Sequence, residues 1–272
     1  MLILNRKTIG LVALVGALAL SVGVIRSTVR KTPSRDGTTP GSVARLSALP
    51  PIILWAWERP EQLGFIDPKR VGVAFLSQTL YLRGDRVVVQ PRRQPLNLPE
   101  STSLIAVTRI EPDRSERPSL SSEQISQAVA KIAELARSPQ VVAVQVDFDA
   151  TRSQRTFYHA LLLALRHDLP TSTGLSITAL ASWCQGDDWL SDLPLDEAVP
   201  MLFRMGLERK QILSQLAAGV DFNSRLCRSS SGISTDEPLA YVPRGARLYV
   251  FNPKPWSLTD VLKVMETYQD EP

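Results

Sequence analysis

Asp147 and Asp149 are the residues whose type and spacing best fit a chemical role. They end the segment 141–150 (VVAVQVDFDA), in which apolar residues alternate with Gln145 and the two aspartates. This period of two predicts a β-strand with one apolar face and one face that ends in carboxylates. Residues two apart on a strand lie about 6.6 Å apart, so their carboxyl groups can approach closely and one pKa rises. Hydrolysis of a glycosidic bond uses such a protonated and ionised pair.

The aspartates need a scaffold that brings the ends of several strands together. Short apolar segments predict strands at 52–57, 71–75, 104–110, 141–150, 175–181, 199–205, 232–235 and 248–251. Helical patterns begin near Ser121, Ser153, Glu208 and Ser257. Strands alternating with helices predict an α/β fold, a (β/α)₈ TIM-barrel-like domain with some helices short or missing and a hairpin insertion at residues 80–90. An open doubly wound sheet is the alternative.

In a β/α barrel, the carboxyl ends of the strands carry the active site. We therefore expect Asp149 to act as general acid, Asp147 as its electrostatic partner, and Glu58 or Glu237 as a second carboxylate. The predicted substrate-binding residues are Arg109, Arg204, Asn252, Asp236, Trp183 and Trp256, the tryptophans serving as platforms for sugar rings. Ser176 and Thr178 are expected to face the barrel axis. Trp55 and Trp57 lie on the apolar face of the first strand, where ordinary packing is expected.

Other chemistries are disfavoured. His159 and His167 lie eight residues apart on one predicted helix, without metal-binding spacing or a nucleophile. The chain has no GxSxG elbow, phosphate-binding glycine loop or paired CxxC motif. A divalent ion at Asp147, Asp149 and Asp236 or Glu237 is conceivable, but the spacing is not diagnostic. We predict neither a metal nor a cofactor.

The amino-terminal residues differ in character from the rest. Residues 8–25 are apolar or small and follow Arg6 and Lys7, which predicts a signal peptide or a membrane anchor within residues 1–26. Residues 27–50 are rich in Ser, Thr, Pro, Gly and Arg and predict a flexible linker, leaving residues 51–272 as the folded domain. The net charge of +4 is the sum of +6 in the first 50 residues and −2 in the remainder, so a nucleic-acid partner is not expected for the folded part. The expected location is the inner membrane or the exported fraction, with a periplasmic domain.

Two cysteines, Cys184 and Cys227, are present. Export would make a disulfide plausible. The strand map, however, places Cys184 past the end of the fifth strand and Cys227 before the start of the seventh. A disulfide joins Cα atoms within about 7 Å, so the map argues against pairing.

Several segments resemble the bacterial family called domain of unknown function 3142. They include VQVDFDA (144–150), LSITALASWC (175–184) and YVFNPKPW (249–256), and the likeness runs in order from about Ile52 to Trp256. The resemblance implies a glycoside-hydrolase-like barrel and, by analogy, a polysaccharide ligand. A more distant likeness is to chitinase-type barrels, whose fourth strand continues to a catalytic glutamate. Here the alternation continues to Thr151, so either Asp149 takes the acid role in a shifted register or the catalytic acid is absent.

Two functions follow from this sequence. The first is a glycoside hydrolase that acts on an envelope or extracellular polysaccharide and is attached to the membrane through residues 8–25. The alternative is a non-catalytic glycan-binding or envelope-assembly barrel. The inward-facing carboxylates favour the enzyme, whereas the missing glutamate favours the binding module.

Overall fold

The computed structural model describes residues 45–243 and 245–269. The predicted membrane segment, 8–25, and residues 27–44 of the predicted linker lie outside the described residues. Over the ranges that are described, no helix is both long and apolar enough to cross a membrane.

Eight parallel strands close into a barrel, which confirms the predicted (β/α)₈ TIM-barrel-like fold. The strand order is β1, β3, β6, β7, β8, β9, β10, β11, and β1 closes the ring by pairing with both β3 and β11. In chain order the strands are β1 (Ile52–Ala56), β2 (Glu61–Gln62), β3 (Val71–Arg83), β4 (Arg86–Pro91), β5 (Leu96–Asn97), β6 (Leu104–Pro112), β7 (Val141–Asp147), β8 (Gly174–Leu180), β9 (Glu197–Met201), β10 (Ser230–Ser234) and β11 (Arg247–Phe251).

From β1 onward, the described ranges contain five α-helices: α1 (Ser122–Leu135), α2 (Arg155–Asp168), α3 (Ala181–Gly186), α4 (Arg209–Ala217) and α5 (Leu258–Gln269). Ser121 caps α1 by accepting from the Gln124 N–H, as a capping residue does. Within the described ranges no helix follows β1, β3 or β10, as the sequence predicted. The predicted hairpin is formed by β3 and β4, and Gly84 supplies the positive φ that its turn needs.

Alternation along β7 separates the barrel interior from the layer under the helices. Gln145 and Asp147 face inward, where they bond to side chains of neighbouring strands. Val144 and Val146 pack in a separate apolar cluster that includes Leu161 from α2. The period of two in the sequence therefore identified the correct inward face of the strand that carries the acidic pair.

The folded part begins earlier than the sequence suggested. Leu46 and Leu49 are buried, and the Leu46 carbonyl accepts from Arg247 Nη2 at 2.7 Å. Leu46 also packs beside Gly174, where a Cβ atom would lie 2.3 Å from the leucine Cδ2. The prediction of a flexible linker up to residue 50 is therefore wrong for residues 45–50, which pack against the amino-terminal end of the barrel.

Cys184 and Cys227 form a disulfide, with Cα atoms 5.9 Å apart. The strand map was therefore wrong to separate them. The chain turns into α3 immediately after β8, so Cys184 does not continue in the direction of the strand. The segment before β10 packs against this helix, and the Ser224 N–H donates to the Cys184 carbonyl at 3.0 Å. Both cysteines are buried in the main apolar cluster.

Replacing Leu46 with alanine is expected to lower the free energy of unfolding by about 2 to 4 kcal/mol, because it leaves a cavity under the barrel. Urea unfolding of the full chain measures this change. Leu207→Ala is the matched control, since Leu207 is fully exposed and should cost little. Equal stability of the two variants would contradict the placement of residues 45–50 in the core.

Candidate functional site

A cavity of about 500 Å³ opens at the carboxyl ends of the barrel strands. We call it the mouth cavity. Apolar and aromatic side chains make up most of its wall, and charged groups occupy part of its rim. It is lined by Trp55, Trp57, Arg109, Asp147, Asp149, Thr178, Leu180, Ala181, Met201, Phe203, Arg204, Met205, Gly206, Glu208 and Phe251.

Asp147 is the deepest acid of the mouth cavity. It is the last residue of β7, is buried, and accepts a hydrogen bond of 2.6 Å from Thr178 Oγ1 on β8. Burial raises the pKa of Asp147 because it penalises the carboxylate, although the Thr178 hydrogen bond and the charge of Arg109 act in the opposite direction. Burial therefore makes this carboxyl group harder to ionise than an exposed aspartate.

Arg109, the sixth residue of β6, lies beside this acid. Its Nη1 is 3.5 Å from Asp147 Oδ2, its Nε donates to Glu111 at 2.5 Å, and its guanidinium lies 5.9 Å from the centre of the Trp57 ring. Burial disfavours its charge, but Asp147, Glu111 and Asp149 together outweigh this effect and raise the pKa of Arg109. The guanidinium thus remains charged at the edge of the cavity.

Asp149 lies two residues beyond the end of β7 and is exposed. It lines the mouth cavity together with Asp147, so the structure brings the predicted pair to one site. No described residue forms an ion pair with Asp149 or with Glu208, the third carboxylate of the cavity. Glu208 was not predicted from the sequence. It immediately precedes α4, and an acidic residue at the start of a helix does not by itself indicate a cavity.

The aromatic wall of the mouth cavity comes from residues that the sequence analysis assigned to ordinary packing or did not consider. Trp55 faces inward and donates from Nε1 to Gln145 Oε1 at 2.9 Å. Phe203 and Phe251 stack with ring centres 5.7 Å apart, and Trp57 meets Phe251 edge-on. The expectation of ordinary packing is confirmed for Trp55, which is buried in the core at the floor of the cavity, and wrong for Trp57, which is half-buried and lines the cavity wall.

Trp183 and Trp256, the predicted sugar platforms, are instead buried outside the cavity. Trp183 lies in α3 and packs edge-on against Trp189 at 5.0 Å. Trp256 donates from Nε1 to the Trp55 carbonyl at 3.0 Å and packs in the cluster beneath α5. The structure therefore gives both rings a packing role.

Glu237, Asp236 and Arg204 form an ion-pair group at the edge of the mouth. Arg204 Nη2 lies 3.2 Å from Asp236, and the Arg204 N–H and Arg209 Nη1 both donate to Glu237. Of these, only Arg204 lines the cavity. Its predicted inward position on a strand is wrong, because β9 ends at Met201 and Arg204 has a φ of +50° in the loop that follows.

Glu58 and Asn252 are not brought to the cavity. Glu58 is exposed, one residue past inward-facing Trp57. Asn252 is buried and points away from the axis, where it accepts from Thr235 Oγ1 at 2.9 Å and contacts Asp260 of α5. Each of these residues directly follows a residue that lines the cavity, Trp57 or Phe251. Because neighbouring residues along a strand point to opposite faces, Glu58 and Asn252 are directed away from it.

No group of three or more His, Cys, Asp or Glu residues in the described ranges is arranged to hold a metal ion.

Residues 100–200 match the family described as Domain of unknown function (DUF3142). The match confirms the resemblance over this segment. It spans β6, β7 and β8 and thus contains Arg109, Asp147, Asp149 and Thr178. The chain matches no curated protein.

The raised pKa of Asp147 predicts a pH dependence of stability. The folded state holds this proton above the pH at which the unfolded chain releases it, so Asp147 costs stability as the pH rises through its folded-state pKa. Asp147→Asn remains neutral. The free energy of unfolding of this variant, relative to the unsubstituted chain, should therefore increase as the pH rises above about 4, by about 1.4 kcal/mol per unit of pKa difference.

Urea unfolding at a series of pH values measures this difference. Asp192→Asn, at an exposed position, is the control and should show no such trend. A difference for Asp147→Asn that does not change with pH would contradict a raised pKa.

Proposed function

We propose that the barrel binds a carbohydrate chain in the mouth cavity and hydrolyses a glycosidic bond there. The observation that carries this proposal is that the half-buried rings of Trp57, Phe203 and Phe251 and the Asp147–Asp149 pair line one open cavity. Aromatic faces suit the apolar faces of sugar rings, and carboxylates accept hydrogen bonds from sugar hydroxyls. The cavity also falls within the usual size range for bound ligands, about 300 to 1,000 Å³.

Asp149 is proposed as the general acid because it is exposed to the ligand space. It donates its proton to the glycosidic oxygen as the bond to the anomeric carbon breaks. Water supplies hydroxide to that carbon, and its remaining proton returns to the carboxylates. Asp147, whose pKa is raised by burial, shares this proton with Asp149. Arg109 binds sugar oxygens from the side.

Glu208 takes the role of second carboxylate in this proposal. Glu58 and Glu237 are less suitable, since Glu58 does not line the mouth cavity and Glu237 is occupied by Arg209 at 2.7 Å. Glu208 follows β9, two strands round the barrel from β7, so it approaches the cavity from a different wall than the aspartates.

The second candidate is a glycan-binding module without catalysis. It is favoured by Arg109, whose charge lies 3.5 Å from Asp147 and also contacts Glu111, as in a structural ion-pair group. The position that follows Asp149 in the alternation is Thr151, where chitinase-type barrels carry the catalytic glutamate. Both candidates use the same cavity and differ only in turnover.

The first test is hydrolysis by the full chain of a panel of bacterial and plant polysaccharides, read by mass spectrometry. Asp149→Asn is expected to reduce product formation by at least about a hundredfold, as loss of a general acid does. Asp188→Asn, a control at a carboxylate outside the mouth cavity, should retain activity. No products, or equal traces from wild type and Asp149→Asn, would contradict the acid assignment and favour the binding module.

We further propose that the domain works outside the cytoplasm, held at the inner membrane through residues 8–25. The apolar composition of that segment and the Cys184–Cys227 disulfide support this, because disulfides persist in oxidising compartments. Alkylation of the denatured protein from freshly lysed cells should modify neither cysteine unless a reductant is added. Alkylation of both without reductant would place the protein in a reducing compartment.

A further inference from the structure

A second cavity, of about 400 Å³, adjoins the mouth cavity between the ends of β6 and β7. Arg109, Asp147 and Asp149 line both cavities. We call these three residues the saddle. Because the two cavities share the saddle, space for a ligand continues past the acidic pair instead of ending at it.

The two cavities have different walls. The mouth cavity offers the half-buried aromatic rings of Trp57 and Phe251, on which sugar rings can stack. Beyond the saddle the wall is more polar. It comes from Glu111 at the end of β6, from Asp113 and Arg114 after it, and from the start of the segment after β7. A ligand that crosses the saddle would thus stack on one side and form hydrogen bonds on the other.

The charges around the second cavity indicate whether the ligand is neutral or anionic. Around the second cavity there are four carboxyl groups and two guanidiniums. With one proton shared by Asp147 and Asp149, three negative charges face two positive ones, a surplus that disfavours anionic ligands. The carboxyl groups are those of Glu111, Asp113, Asp147 and Asp149, and the guanidiniums are those of Arg109 and Arg114. Arg109 is already engaged by Glu111 and Asp147. A polymer of uronic acids is therefore disfavoured relative to a neutral one.

We propose that the two cavities form one cleft that holds an internal stretch of a neutral polysaccharide, with sugar units on both sides of the saddle. This rests on the proposed function and extends it: the bond above Asp149 lies within the chain, so cleavage is internal. A ligand confined to a terminal sugar would use the mouth cavity alone.

Binding as a function of ligand length tests this cleft separately from catalysis. The full chain carrying Asp149→Asn is titrated by calorimetry with the dimer, tetramer and hexamer of β-1,4-linked glucose and of N-acetylglucosamine, and with a galacturonate hexamer. In at least one neutral series, the hexamer is expected to bind about tenfold more tightly than the dimer. The galacturonate hexamer should bind more weakly than that neutral hexamer.

A blocking variant identifies where the additional units bind. Thr151 is exposed and lines only the second cavity, so Thr151→Trp should remove most of the affinity gained between dimer and hexamer. Thr171→Trp is the matched control, since Thr171 is also exposed but precedes the amino-terminal end of β8. Arg114→Ala provides a second, smaller change in the same cavity. Thermal unfolding checks that each variant is folded.

The outcomes separate the two proposals. Equal affinity for dimer and hexamer, equal loss in the Thr151 and Thr171 variants, or preference for galacturonate would overturn the extended cleft and leave the proposed function standing. A length dependence abolished by Thr151→Trp, without cleavage by the unsubstituted chain, would support the cleft and contradict the hydrolase. Absence of binding by every oligomer would overturn both.

Discussion

The structure depends on a line of buried hydrogen bonds across the barrel interior, centred on Glu197. A fully buried carboxylate costs several kcal/mol unless it is paired and hydrogen-bonded. Glu197 meets this requirement with Arg247 at 3.0 Å and with the Tyr249 hydroxyl. Arg247 in turn donates to the Leu46 carbonyl, which ties the first folded residues to the amino-terminal end of the barrel. Removing either partner of the Glu197–Arg247 pair would leave an uncompensated charge in the core.

The same line reaches the floor of the mouth cavity. Ser176 donates to Glu197, Gln145 donates to Ser176, and the Trp55 indole donates to Gln145 at 2.9 Å. The orientation of Trp55, the buried ring at the floor of the mouth cavity, therefore depends on a polar network that begins at the amino-terminal end of the barrel. Asp147 lies two residues along β7 from Gln145, at the boundary between this dry interior and the cavity. Its position at that boundary explains why burial dominates its pKa.

The alternation of polar and apolar residues predicted the directions of side chains correctly where a strand has one polar face. It placed Gln145 and Asp147 inward, and with them Thr178 on the neighbouring strand. It could not choose a face for β1, whose residues IILWA are apolar on both sides, so Trp55 was assigned to packing. The alternation also does not predict where a strand ends or in which direction the chain continues after it. Arg204 left its predicted place because β9 ends at Met201, and Cys184 approached Cys227 because α3 begins immediately after β8.

The central claim is that sugar rings stack in the mouth cavity beside the Asp147–Asp149 pair. Its most direct test is a crystal structure of the full chain carrying Asp149→Asn, grown with a neutral hexasaccharide. We expect one sugar ring against Trp57 or Phe251, with a glycosidic oxygen within hydrogen-bond distance of residue 149. A saccharide bound only outside the mouth cavity would contradict this claim.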